Sequence, residues 1–191
     1  MTRPPQLTTI LVERISDGAA LFYYNQPKIS NAFTVKQYLE FREALVWARD
    51  EPAIKVLVLI GKLLDVYTSF DLVYAHPAAF FQTPFMPIGF VPEGGPSHTF
   101  PKVRGQQHAN ALLLAGDRLL AQDMYVSGLV TAVVPAESTE EFLGKVCEKA
   151  RRIAGFGGES LGMAKALVRE AEGVESRRRR RGGRGGIWWL G

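Results

Sequence analysis

Apolar and polar positions partly alternate through LTTILVERI (7–15) and SDGAALFYYN (16–25), and Ser16-Asp17-Gly18 between them supplies turn chemistry. That pattern predicts a β-hairpin. NQPKISNAF (25–33) follows, a loop rich in Asn, Pro and Ser. Thr34 is placed to cap a helix over TVKQYLEFREALVWARD, in which Val35, Leu39, Val46 and the aromatics between them form a broad apolar face. Asp50-Glu51-Pro52 ends it. IKVLVLIG (54–61) is apolar at successive positions, as in a strand covered on both faces by helices.

After Gly61 the pattern is harder to place. FDLVYA (70–75) and AAFFQ (78–82) are strand-like, but only Lys62 to Ser69, eight residues, separate IKVLVLIG from FDLVYA. Parallel neighbours need a crossover of about a dozen residues or more. Either these strands do not pair in parallel, or a segment that ordinarily lies between them is absent. The second half is mostly helical: GQQHANALLLAG and AQDMYVSG read as short helices and LVTAVVP as a short strand. STEEFLGKVCEKARRIA is an amphipathic helix capped by Ser138, with Glu141 at the capping-box position, and GESLGMAKALVREAE is another helix. No internal repeat is present. Past Gly173 the composition changes to VESRRRRRGGRGGIWWLG, where like-charge repulsion and glycine predict disorder. The expected organisation is a mixed α/β domain over 1–172 and an Arg/Gly-rich tail over 173–191.

Charge changes the picture in one respect. The net charge of +4 comes from the tail, which holds six arginines at 177–181 and 184; without them 17 basic residues face 19 acidic ones. Overall basicity therefore does not argue for nucleic acid, although the Arg/Gly segment alone leaves an electrostatic RNA-binding role as the weakest of three readings. No apolar run approaches the ~20 residues of a membrane span, and MTRPPQLTT lacks the apolar region of a secretory signal. Cys147 is the one cysteine and lies in a helical pattern, so a packed thiol in a reducing compartment is expected. Three scattered histidines and one cysteine do not make a zinc site, and no metal is expected.

FVPEGGPSHTFPKV (90–103) carries the candidate chemistry. Glu93 stands between Pro92, which fixes the entry angle, and Gly94 and Gly95, which let the backbone approach a neighbour closely. A glutamate so framed is either a turn residue or a positioned base. Apolar surroundings would raise its pKa toward ambient pH, where a base works best, and Phe85, Ile88, Phe90 and Val91 are available for that. Lys28, in NQPKISNAF, is a phosphate-binding candidate or a solvated lysine. His98 and His108 read as surface or packing residues, and Asp71 as a turn or strand-end residue. Trp188 and Trp189 stand too near the chain end to suggest a site.

Several of these pieces together resemble the crotonase, or enoyl-CoA hydratase/isomerase, family. NQPKISNAF resembles its N-terminal loop, AFFQTPFMPIGFVPEGGPSHTFPKVRG the loop and helix start that carry the catalytic acid, and ANALLLAGDRLLAQDMYVSGLVTAVVP its helix pair and following strand. The likeness covers about residues 8–170 in the family's order. Pro-Glu-Gly-Gly is more similar to the 3-enoyl to 2-enoyl-CoA isomerase branch than to the hydratases. The resemblance implies an α/β fold of repeated β-β-α units, here shortened internally and at the C-terminus, and a trimer-type homo-oligomer. It implies isomerisation or hydration of an acyl-CoA in fatty-acid oxidation or a related secondary-metabolite pathway. Coenzyme A would enter as part of the substrate, with no further cofactor. It implies Glu93 as the base, Gly94 and Gly95 as residues shaping its loop, and Lys28 as the contact to coenzyme A. The implied compartment is the peroxisome, although no Ser-Lys-Leu ending is present, and otherwise the cytoplasm. One departure matters: in the family, IKVLVLIG would run into a segment of the form Gly-x-x-Phe-Ser-x-Gly-x-Asp that supplies both oxyanion-hole N–H groups, and here that segment is missing. A catalytically impaired protein that binds coenzyme A or pairs with a partner is therefore the alternative reading.

Overall fold

Local chemistry sets most element boundaries in the structure, a computed structural model that describes residues 2–26, 28, 34–61, 70–92, 95–171 and 188–190. Two units divide the chain: Met1–Ile60 with Glu148–Trp188, and Gly61–Cys147 with Trp189–Gly191.

In the first unit, β1 (Ile10–Ser16) and β2 (Ala19–Tyr24) form the expected antiparallel hairpin, Ile10 opposite Tyr24, with an irregularity between Arg14 and Ser16. The turn is Asp17-Gly18. Helix α1 (Val35–Asp50) then leads to β3 (Val56–Ile60), which pairs with β2 in parallel, Ala19 opposite Val56. The sheet order is β1-β2-β3-β8, the last strand being Trp188–Leu190. Those three residues are the described part of the tail expected to lack structure, and its expected boundary at 173 lies outside the described residues. The Thr34 hydroxyl caps α1 by accepting from the Gln37 N–H at 3.1 Å.

The apolar face of α1 exists but does not face the core. Val35 is 79% exposed and Leu39 54%, while Gln37, Ala44 and Ala48 are buried. At 100° per residue Ala44 lies opposite Val35. Ala44 and Ala48 let the helix backbone lie close to the rest of its unit, which larger side chains would hold off.

In the second unit, β4 (Tyr74–Ala75) pairs in parallel with β7 (Ala132–Val133), and β5 (Phe80–Phe81) pairs antiparallel with β6 (Leu119–Leu120). FDLVYA, AAFFQ and LVTAVVP thus yield only two strand residues each, and β3 and β4 belong to different sheets. Strands β3 and β4 do not pair, so the short 62–69 link makes no parallel crossover between them. Helices α2 (Pro96–Arg104), α3 (Gln106–Leu113) and α4 (Ala121–Val126) pack Phe100, Leu112 and Met124 with Val73, Phe81 and Phe85 into one core.

Helix α5 (Thr139–Ala154) starts at the Ser138 hydroxyl, which accepts from the Glu141 N–H at 3.1 Å. Glu141 completes the start from the other side, although its carboxylate takes the Glu137 N–H at 2.7 Å rather than that of Ser138. Cys147 is buried on this helix as expected. Helix α6 (Gly158–Ala171) follows. Among the described residues no helix is long and apolar enough to cross a membrane.

Candidate active site

The loop leading to Glu93 is built outward from the second unit's core. Thr83 is buried and its hydroxyl donates to the Leu112 carbonyl. The Gln82 amide donates to the Gly116 carbonyl at 2.9 Å. Phe85 is buried in the core cluster, and its carbonyl accepts from the Phe90 N–H at 2.8 Å. The Ile88 N–H reaches the Pro84 carbonyl and the Gly89 N–H that of Met86, with Gly89 at φ 71°. Pro84, Pro87 and Pro92 restrict the remaining freedom. The result is a closed loop that holds Met86, Ile88, Phe90 and Val91 outward; Phe90 is 57% exposed and Val91 76%.

Of the four apolar residues expected around Glu93, Phe85 thus serves the core, and Ile88, Phe90 and Val91 face outward. Glu93 and Gly94 lie outside the described residues. Gly95 follows them at φ 99°, a left-handed conformation that suits glycine, as the N-cap of α2. Its carbonyl accepts from the N–H groups of His98 and Thr99, both at 3.0 Å, and from the Thr99 hydroxyl at 3.1 Å. Pro96 occupies the first helical position, where a missing N–H costs nothing.

At the other end of α2, Arg104 is buried, which the sequence reading missed. Its Nε donates to Ser127 Oγ at 2.8 Å and its Nη1 to the His108 carbonyl at 3.1 Å, while Nη2 has no partner among the described residues. Burial lowers its pKa from the usual guanidinium value, and Asp123 acts in the opposite direction. The available signal was position: Phe100 and Arg104 stand four apart, on one helix face.

Lys28 belongs to the first unit; it is exposed and makes no hydrogen bond or ion pair with another described residue. His98 and His108 are exposed on α2 and α3, as expected of surface residues. Asp71 is half-buried just before β4. Gly61 is the last described residue after β3, and Lys62 lies outside the described residues. Among the described residues no group of three His, Cys, Asp or Glu is placed to hold a metal.

Solved structures share this architecture. An enoyl-CoA hydratase from Mycobacterium avium subsp. paratuberculosis K-10 superposes with a TM-score of 0.78 at 23% identity, over 89% of this chain and 85% of that one. Pseudomonas aeruginosa OdaA gives 0.78 at 22% identity, over 90% and 88%. The fold is therefore crotonase-like. The family model described as enoyl-CoA hydratase/isomerase matches residues 64–181, and the chain belongs to that family, near its isomerase branch. Rat enoyl-CoA delta isomerase 2 is 36% identical over 138 residues, 72% of this chain and 33% of that protein. Mouse peroxisomal enoyl-CoA delta isomerase 3 is 33% identical over 138 residues, 72% and 41%. Human testis-specific chromodomain protein Y 2 is 34% identical over 135 residues, 71% and 23%. The chain spans less than half the length of these curated relatives.

Proposed function

We propose that the chain acts on an acyl-CoA, moving a 3-enoyl-CoA double bond to the 2-position, with Glu93 as the proton carrier. The observation that carries this is the loop before Glu93: a braced, outward-facing apolar surface of Met86, Ile88, Phe90 and Val91 runs directly into the glutamate and the start of α2. An acyl chain covering that surface would remove it from water. The isomerase names of the rat and mouse relatives support the reaction class. The carboxylate takes a proton from C2, the electron pair shifts toward the thioester carbonyl as the double bond migrates, and the same carboxyl returns the proton to C4. Water added across a 2-enoyl-CoA would be the related hydration. Lys28 is the residue we assign to a phosphate of coenzyme A, with the peroxisome of the mouse relative as the proposed compartment and a homo-oligomer as the proposed assembly.

The second reading, a coenzyme-A-binding or partner protein without turnover, draws on the short 62–69 link, which leaves no room for the family's donor segment. Losing one oxyanion donor typically costs roughly 100- to 1,000-fold in rate. Conversion of a 3-enoyl-CoA by the purified chain, beside Glu93→Gln, separates the two. Turnover that disappears in the variant is the expected result. A folded wild type that converts nothing would overturn the isomerase reading and leave the binding role.

A further inference from the structure

The α2 helix holds itself in place poorly. Its N-cap, Gly95, has no side chain to accept a first-turn N–H, and Pro101 inside the helix removes a ladder hydrogen bond. At nine residues it spans only about 13 Å. Its direction therefore depends on what its side chains grip. Pro96 and Phe100 are buried but apolar, and they fix depth better than angle. Arg104 is different in kind. Its rigid guanidinium fork makes two directed hydrogen bonds at the helix end farthest from the Glu93 loop, one to Ser127 after α4 and one to the His108 carbonyl in α3.

A side chain serving only burial would be apolar here, because a guanidinium out of water, with one nitrogen unpartnered among the described residues, carries a desolvation cost. We propose that Arg104 is a positioning residue: it sets the angle of α2 and thereby aims the Glu93 loop, which ends where the helix begins. This rests on the isomerase reading above. It also makes Ser127 part of the same device, since that hydroxyl is the acceptor that turns the guanidinium.

The test compares Arg104→Met and Ser127→Ala with wild type in the 3-enoyl-CoA assay, with melting temperature and amide hydrogen exchange measured on the same samples. Misplacement of a reacting group by about 1 Å costs on the order of 100-fold, so kcat should fall at least tenfold in Arg104→Met while KM stays within about twofold. The melting temperature should hold or rise, because the buried charge is gone. Exchange should quicken at the His98 and Thr99 amides of α2 and stay unchanged in α5. Ser127→Ala should shift both readouts the same way by less, and it decides the matter if Arg104→Met fails to fold. The double variant should lose less than the two single losses multiplied, as expected of one shared device. An active wild type whose variants keep kcat and α2 exchange unchanged would overturn the role of Arg104 alone. A wild type without turnover would overturn the Glu93 assignment, and this inference with it.

Discussion

Thr2 gives both its backbone N–H and its hydroxyl to one oxygen of Glu51, at 2.6 and 2.8 Å. Arg14 meets that same oxygen at 2.9 Å and lies over the ring of Trp47, whose Nε1 donates to the Thr2 hydroxyl. The Thr2 hydrogen bonds, aided by that of Ala53 and by the Arg14 charge, hold the Glu51 pKa at about 2 against the opposing effect of burial.

A pH dependence follows. Glu40 is the companion case: burial alone would raise its pKa, but the N–H and hydroxyl groups of Thr9 and Thr8 together bring it to about 2. Both folded values lie below the ordinary carboxylate value of 4.5. The stability they contribute is therefore complete above that value and lost as pH falls toward 2. Thermal melts from pH 6 to pH 2 should show a steep fall below pH ~4.5, and the fall should shrink in Glu40→Gln. An equally steep fall in that variant would exclude Glu40 as a source.

Gln37 is fully buried on the inward face of α1, and neither atom of its amide has a partner among the described residues. Gln37→Met keeps the shape and removes the unmet polar group, which should stabilise by about 1–2 kcal/mol. Urea titration would show it as a higher midpoint at unchanged slope. A lower midpoint would mean that the amide is satisfied in solution.

The two faces of α1 should respond oppositely to substitution. Leu39→Gln, on the exposed side, should change stability by no more than about 0.5 kcal/mol. Ala44→Leu, at a site with no exposed surface, should cost about 1–3 kcal/mol through overpacking. Paired denaturation curves decide it, and a larger loss from Leu39→Gln would show that the apolar face is covered.

Phe90 is the probe for the acyl surface. Because it is more than half exposed, Phe90→Ser should leave the melting temperature nearly unchanged. If the surface meets substrate, KM should rise about tenfold for a long acyl chain, the scale of one lost apolar contact, and hardly at all for a four-carbon one. Equal effects on both would place the acyl chain elsewhere.

What could be read from the chain divides by range. The hairpin at Asp17-Gly18 and the caps at Thr34 and Ser138 were legible because turn and cap chemistry acts within about four residues. The length of the link left two readings open for the strands at 56–60 and 74–75, and the sheet order shows that they do not pair. The inward face of α1 was not: periodicity shows which side of a helix is apolar, but Ala44 and Ala48 won the core position by being small. Arg104 was hidden for a similar reason, since its partner Ser127 lies 23 residues further on and the one local signal of burial is its spacing of four from Phe100. Glu93 stood out by its frame and by resemblance, and Lys28 by resemblance; the described geometry supplies the frame of Glu93 from Gly95 onward.

Strand β3 has its ladder neighbours in β2 and β8, and β4 has its own in β7. No ladder hydrogen bond joins β3 to β4. The link over 62–69 therefore carries no strand register from one sheet to the other. A change of length there leaves the register of both ladders as it is, because neither ladder counts through the join. Neither sheet has to be re-solved when that join grows or shrinks, which makes 62–69 a place where chain length and strand pairing are decoupled.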